Sequence, residues 1–252
     1  MLAGYSRIGD PQVEVRHAPG ERGYAEDTLS AIREALPSVL SYFSYFGVEQ
    51  GFPRIGAVLA PCRAEFDRLV HDLLRVNIER PSHPARIAQA QRMDMVVLSP
   101  SAYATESTFP FVPAHFRRLL HHELVHIGEE FLSPNIEAVP LWWSEGLAVH
   151  LSRQWAHEPA FARAAQTGIA AELLPSLSEI ERSRRHANDW GWTWVWFVER
   201  TYGTATVREI VATCVNGDVL SLLPCARDAL QRAWRQAVST DLRDELAGQT
   251  GS

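Results

Sequence analysis

The sequence predicts an α+β fold, a small β-sheet with its helices followed by a mainly helical C-terminal lobe. Two observations predict it. In the first half, short apolar runs closed by proline alternate with segments of helical periodicity. Beyond Pro140 the periodicity is helical throughout and is punctuated by Pro175, Gly203, Gly217 and Pro224. The 252 residues suffice for a full core, and we read one domain over 1–250, with sub-lobes at 1–132 and 133–250.

Taken in order, Leu29, Ile32, Leu36, Leu40 and Phe43 predict a helix over 27–46 that Pro37 should kink or interrupt. Arg54–Ala60, closed by Pro61, reads as a strand, and 64–76 returns to helical spacing. Residues 77–92, with Pro81 and Pro84, read as a loop, and Met93–Ser99 as a second strand ended by Pro100. A Ser, Thr and Pro-rich stretch leads to a helix carrying Phe116, Leu119, Leu120, Leu124 and Ile127 on its apolar positions. After a turn over 133–140, a helix is expected over 141–151, then others near 159–171, 176–185, 190–202, 204–216 and 226–246.

Hydrophobic residues at 46%, charged residues at 21% and eight Trp mark an ordinary globular protein. A net charge of −6 and the lack of a dense Lys/Arg run argue against a nucleic-acid or anionic-membrane partner. Cys62, Cys214 and Cys225 are widely spaced, without a CxxC pair, which points to reduced thiols and not to a disulfide framework or thiolate metal site. The N-terminal residues lack a basic segment followed by an apolar one, and no apolar run has the length of a membrane span. A cytoplasmic location is the expectation.

The chemistry concentrates on His122-Glu123-Leu124-Val125-His126, an HExxH motif. On a helix, residues four apart stack on one face, so both imidazoles can reach one ion. Glu123 beside them can accept a proton from a water held at the metal and return it to a leaving amine. Eighteen residues further, Leu141–Ser152 (LWWSEGLAVHLS) reads as a second helix that offers Glu145 as an oxygen ligand. Two His and one Glu leave a fourth position open, as catalytic zinc sites do and closed structural ones do not.

This HExxH, eighteen intervening residues and the run Trp142-Trp143-Ser144-Glu145-Gly146-Leu147-Ala148 resemble the gluzincin zinc metallopeptidases, especially the minimal peptidase-MA-like members and the catalytic domain of the related aminopeptidases. The resemblance covers roughly residues 25 to 240 and is most specific over 122–148. It implies a thermolysin-like architecture, Zn2+ bound by His122, His126 and Glu145, Glu123 as base and proton shuttle, and a peptide or small amide substrate. It also implies that the strand at Met95–Ser99 lines the site and pairs with an extended substrate backbone. A metzincin pattern is excluded, because Glu129 and Leu132 stand where Gly and His are required.

Two features depart from the aminopeptidases. The segment that would carry their amino-group anchor reads Arg92-Met93-Asp94-Met95-Val96; Asp94 is a possible substitute, with a polar strand-entrance residue the simpler reading, so aminopeptidase specificity is not supported. The window for an oxyanion-stabilising Tyr reads His186-Ala187-Asn188-Asp189-Trp190, leaving His186 as a substitute donor or a solvated loop residue. His121 and His150 read as surface or capping residues, and Glu129 and Glu130 as solvated carboxylates or as groups orienting a ligand imidazole. Trp192, Trp196 and Glu199 follow helical spacing, which favours a core role over ligand stacking for the Trp-rich helix. A catalytically silent zinc protein and a zinc hydrolase of one non-peptide amide remain open alternatives.

Overall fold

The computed structural model describes residues 2–43, 52–214 and 217–249. The chain divides into two compact units, Met1–Phe131 and Leu132–Ser252. The fold is α+β, with all strands of the described residues in the first unit.

The first unit contains β1 (Ser6–Gly9), β2 (Val13–His17), α1 (Arg22–Phe43), β3 (Ile55–Ala60), α2 (Arg63–Asp72), β4 (Ala88–Gln91), β5 (Asp94–Leu98), a short α3 (Tyr103–Glu106) and α4 (Pro113–Leu132). Its sheet has the order β1-β2-β3-β5-β4. The inner pairs β2/β3 and β3/β5 are parallel and the outer pairs β1/β2 and β4/β5 antiparallel. The parallel pairs need crossovers, which α1 and α2 supply; α1 packs on β2 and β1, α2 on β5 and β3. The inner strands are apolar on consecutive residues, as burial on both faces demands: Ala57 to Ala60 and Met95 to Leu98 are buried without a break.

Neither β1 nor β2 was expected from the sequence. Their hairpin is a local construction, in which the Asp10 carboxylate accepts hydrogen bonds from the Gln12 and Val13 amides at 2.8 and 2.9 Å. Those amides, with Arg33 of α1, hold the Asp10 carboxyl below the usual carboxylate range. Gly9, at φ +143°, is confined to glycine, since a Cβ there would lie 2.1 Å from the Val13 carbonyl oxygen. The expected loop over 77–92 also needs correction, because its end forms β4. The sequence Ala-Gln-Ala-Gln has little strand propensity of its own and is recruited by pairing with β5.

Pro37 does not interrupt α1. It lies on the exposed face, as does Arg33 one turn earlier, so the carbonyl that loses its amide partner can be solvated. The helix begins five residues before the expected start, and 44–46 lie outside the described residues. Helix α2 stops at Asp72, short of 76, where Arg75 adopts a left-handed φ of 63°.

The second unit holds α5 (Leu141–Leu151), a short α6 (Gln154–His157), α7 (Pro159–Ala170), α8 (Leu177–Arg182), α9 (Arg184–Tyr202), α10 (Thr204–Thr213), α11 (Arg227–Ala237) and α12 (Arg243–Gln249). Helix α9 is the hub, contacted by α5, α7, α8, α10 and α11. Its Trp190, Trp192, Trp194 and Trp196 are all buried. Trp194 stacks on Trp234 at 4.9 Å between ring centroids and Trp192 on Trp155 at 5.0 Å, while the Trp234 indole donates to Thr193 Oγ1 at 3.1 Å. The helix expected over 226–246 is divided by a π-helical turn at Val238–Leu242. Among the described residues no helix is long and apolar enough to cross a membrane.

Within the first unit α4 rests on α1 at Gly128, where a Cβ would come 2.6 Å from the Phe43 ring and 3.1 Å from Val39 Cγ1. Phe43 is fully buried and has no free space to yield. Gly128→Val is expected to lower stability by about 2 kcal/mol through overpacking, measured as a fall in the denaturant midpoint. An unchanged midpoint would show that α1 gives way.

Candidate metal centre

Helix α4 carries both apolar core and polar chemistry. Leu120, Leu124, Val125 and Ile127 are buried, and so are His122, Glu123 and Glu129, at 8, 6 and 0% exposure. The helical repeat places His122 and His126 one turn apart with ring centroids at 4.8 Å and Nε2 atoms 3.1 Å from one another. At that separation two imidazoles share either a proton or a cation. Two ligands of a tetrahedral zinc lie roughly 3.3 Å apart, given metal–nitrogen distances near 2.0–2.1 Å, so the pair fits such an ion without rearrangement.

The other nitrogen of His126 faces a carboxylate. Glu129 Oε2 lies 3.6 Å from His126 Nδ1, one helical turn on and fully buried. A carboxylate on the Nδ1 side of a ring whose Nε2 faces the second histidine is the arrangement that orients a ligating imidazole. Glu130 does something else. Its carboxylate accepts from the Arg92 amide at 2.5 Å and from Gln91 Nε2 at 3.0 Å, fastening the last turn of α4 to the β4–β5 turn.

Glu145 is half-buried in the second turn of α5, on a helix otherwise anchored by the buried Trp142, Trp143, Leu147 and Val149. Together His122, His126 and Glu145 form a group whose ligand atoms all lie within 4.8 Å of one another. Two imidazole nitrogens and one carboxylate oxygen are a donor set suited to zinc and other late divalent cations. This group can hold a metal ion.

The remaining candidates fall elsewhere. His121 sits partly buried beside Ser38 Oγ at 3.4 Å, and burial, then the adjacent His122, pushes its pKa below the ordinary imidazole range. His150 is not a surface residue: its Nε2 meets Glu199 Oε2 at 2.6 Å and its ring stacks on Trp155. Glu199 lies 49 residues from that partner, in no sequence pattern that would have revealed it. His186 lies in the first turn of α9 and not in a loop, because Ser183 caps the helix six residues before its expected start, accepting from the His186 amide at 3.3 Å. The expected pairing of β5 with a substrate backbone is overturned, since both edges of β5 are taken by β3 and β4.

Comparison with known proteins finds no family model that matches the chain, and no curated protein matches it significantly.

Asp94 begins β5 over Gly56, whose absent Cβ leaves room for the carboxylate. Burial raises its carboxyl above the usual range, opposed by Arg16 and Arg54. A raised folded-state pKa means that stability is fully present below the unfolded value and is lost as pH rises through the folded one. Asp94→Asn is therefore expected to melt above wild type at neutral pH and level with it below about pH 3.5; equal melting at both would refute the burial penalty. For the metal centre, Glu129→Gln is expected to weaken zinc binding by about 10- to 100-fold in a chelator competition, while leaving the melting temperature of the chelated protein near wild type.

Proposed function

We propose that the chain is a zinc-dependent hydrolase of gluzincin type that cleaves the amide bond of a peptide or a small amide. The observation that carries the reading is the His122, His126 and Glu145 group together with the buried Glu123 between the two ligand histidines. Bound zinc supplies Lewis acidity that polarises a carbonyl and acidifies water. His122 and His126 would hold the ion through Nε2, with the Glu129 carboxylate on the Nδ1 side of the His126 ring. Glu123 receives the proton of the attacking water and passes it to the departing amine.

In the same reading His186 is the donor to the developing oxyanion. Among the described residues its buried Nδ1 has no hydrogen-bond partner, which suits such a role. Asp94, held in the sheet among Arg16, Arg54 and Glu14, is not assigned as an amino-group anchor, and the reading carries no exopeptidase preference.

The test compares native protein, Glu123→Gln and a chelated sample on a peptide library, with zinc content measured in each. Native protein is expected to bind about one zinc and cleave, and Glu123→Gln to bind zinc but lose at least about 10²-fold in kcat. His186→Ala is expected to lose about 10²-fold in kcat with zinc content unchanged. Equal cleavage in all samples would sink the proposal. Zinc binding without cleavage of any peptide or amide would favour the silent zinc protein.

A further inference from the structure

Glu145 sits on a helix whose closest support is a crossing of two glycines. In the second unit Gly146 of α5 faces Gly191 of α9. A Cβ on Gly146 would lie 2.4 and 2.6 Å from the carbonyl carbon and oxygen of Gly191 and 2.8 Å from the Trp192 nitrogen. A Cβ on Gly191 would lie 2.0 Å from the Trp142 carbonyl oxygen. Every atom met is backbone, so no rotamer change relieves the overlap, and the only response is for one helix to move. Trp142 and Gly146 are one helical turn apart, so this contact spans the turn that carries Glu145.

A second tie fixes α5 further along. His150 Nε2 meets Glu199 Oε2 at 2.6 Å, and the other Glu199 oxygen accepts from Thr204 Oγ1 at 3.0 Å, joining the end of α5 to the end of α9 and the start of α10. Stacking of His150 on Trp155, and of Trp155 on Trp192, closes the same region. Both ends of α5 are thus bound to α9, the helix buried at the centre of the unit.

We propose that Gly146 and Gly191, aided by the His150–Glu199 pair, are positioning residues for the Glu145 carboxylate, setting the approach of α5 to α9 so that this ligand reaches the ion. The proposal rests on the metal reading given above. The physical argument is one of tolerance. Metal–ligand distances hold to within about 0.2 Å, whereas a methyl group forced between two helix backbones displaces one of them by far more. The helices would survive such a shift, because α9 keeps its other neighbours, but the carboxylate would be carried out of range. Helix propensity points the other way: alanine outranks glycine in a helix interior by about 1 kcal/mol, so both glycines stand against local preference.

The experiment is a double-mutant cycle on zinc affinity, read by competition with a chromophoric chelator and accompanied by the melting temperature of the zinc-free protein. Gly191→Ala is expected to weaken zinc binding about 10-fold or more while circular dichroism retains the helical content. When Glu145→Ala is already present, adding Gly191→Ala should cost no further affinity, because the ligand it positions is gone. A general loss of structure would instead lower affinity by the same factor with and without Glu145. Glu199→Gln, which leaves the glycine contact intact, is run through the same cycle in case Gly191→Ala does not fold, and is expected to show the same dependence on Glu145 at a smaller factor. Wild-type affinity in either folded variant, or an effect independent of Glu145, would overturn the proposal. Wild-type protein that binds no zinc would overturn both the proposal and the metal reading, and is distinguished by the unmodified protein alone.

Discussion

Helix α4 has to bury ionisable groups in the same turns that bury its leucines, and much of the first unit answers to that constraint. Taking a charged group out of water costs several kcal/mol unless another charge or a set of hydrogen bonds compensates it. Here His122, Glu123 and Glu129 are all removed from solvent within eight residues. A helix with that load cannot rely on a clean apolar stripe. It is held by specific contacts, namely Gly128 against Phe43 and Val39, the Glu130 bonds to the β4–β5 turn, and Arg117 paired with Glu34 at 2.7 Å.

The second unit meets a different demand, which is to present one carboxylate from a helix that is nearly all core. It does so with aromatic mass and with glycine. The tryptophans of α9 supply large buried surfaces, and glycine appears where a helix must come close to them or to their backbone. Gly168 has the Trp190 ring 2.7 Å from where its Cβ would be, and Gly191 has the Trp142 carbonyl at 2.0 Å. Large and absent side chains are complementary parts of one packing scheme.

Much of this was legible in the residues. The α+β class, β3, β5 and the helices α4, α5, α7, α8 and α10 follow from periodicity, because each buries a continuous apolar face. Residues His122, His126 and Glu145 followed from helical spacing and an eighteen-residue interval. What stayed hidden depends on partners distant in sequence. Strand β4 exists by virtue of β5, and β1 with β2 by virtue of an Asp10 turn between charged strands. The start of α9 was readable in principle, since Ser183 is a strong cap, but the charged run Arg184-Arg185-His186 lacks the apolar spacing that marks a helix. The roles of Glu129 and Glu130 could not be separated by position alone: neighbouring carboxylates point about 100° apart on a helix, so one turns inward to His126 and the other to the sheet.

Charge counting gives the proposed site its internal logic. A divalent cation held by two neutral imidazoles and Glu145 retains one positive charge. Glu129, whose carboxylate lies 3.6 Å from Nδ1 of His126, would offset that charge through the ring. The two remaining carboxylates would then divide the work by position. Glu129, fully buried behind a ligand ring, would act on the cation. Glu123, buried one residue after His122, would act on the water, accepting a proton as it attacks and holding it until the amine departs.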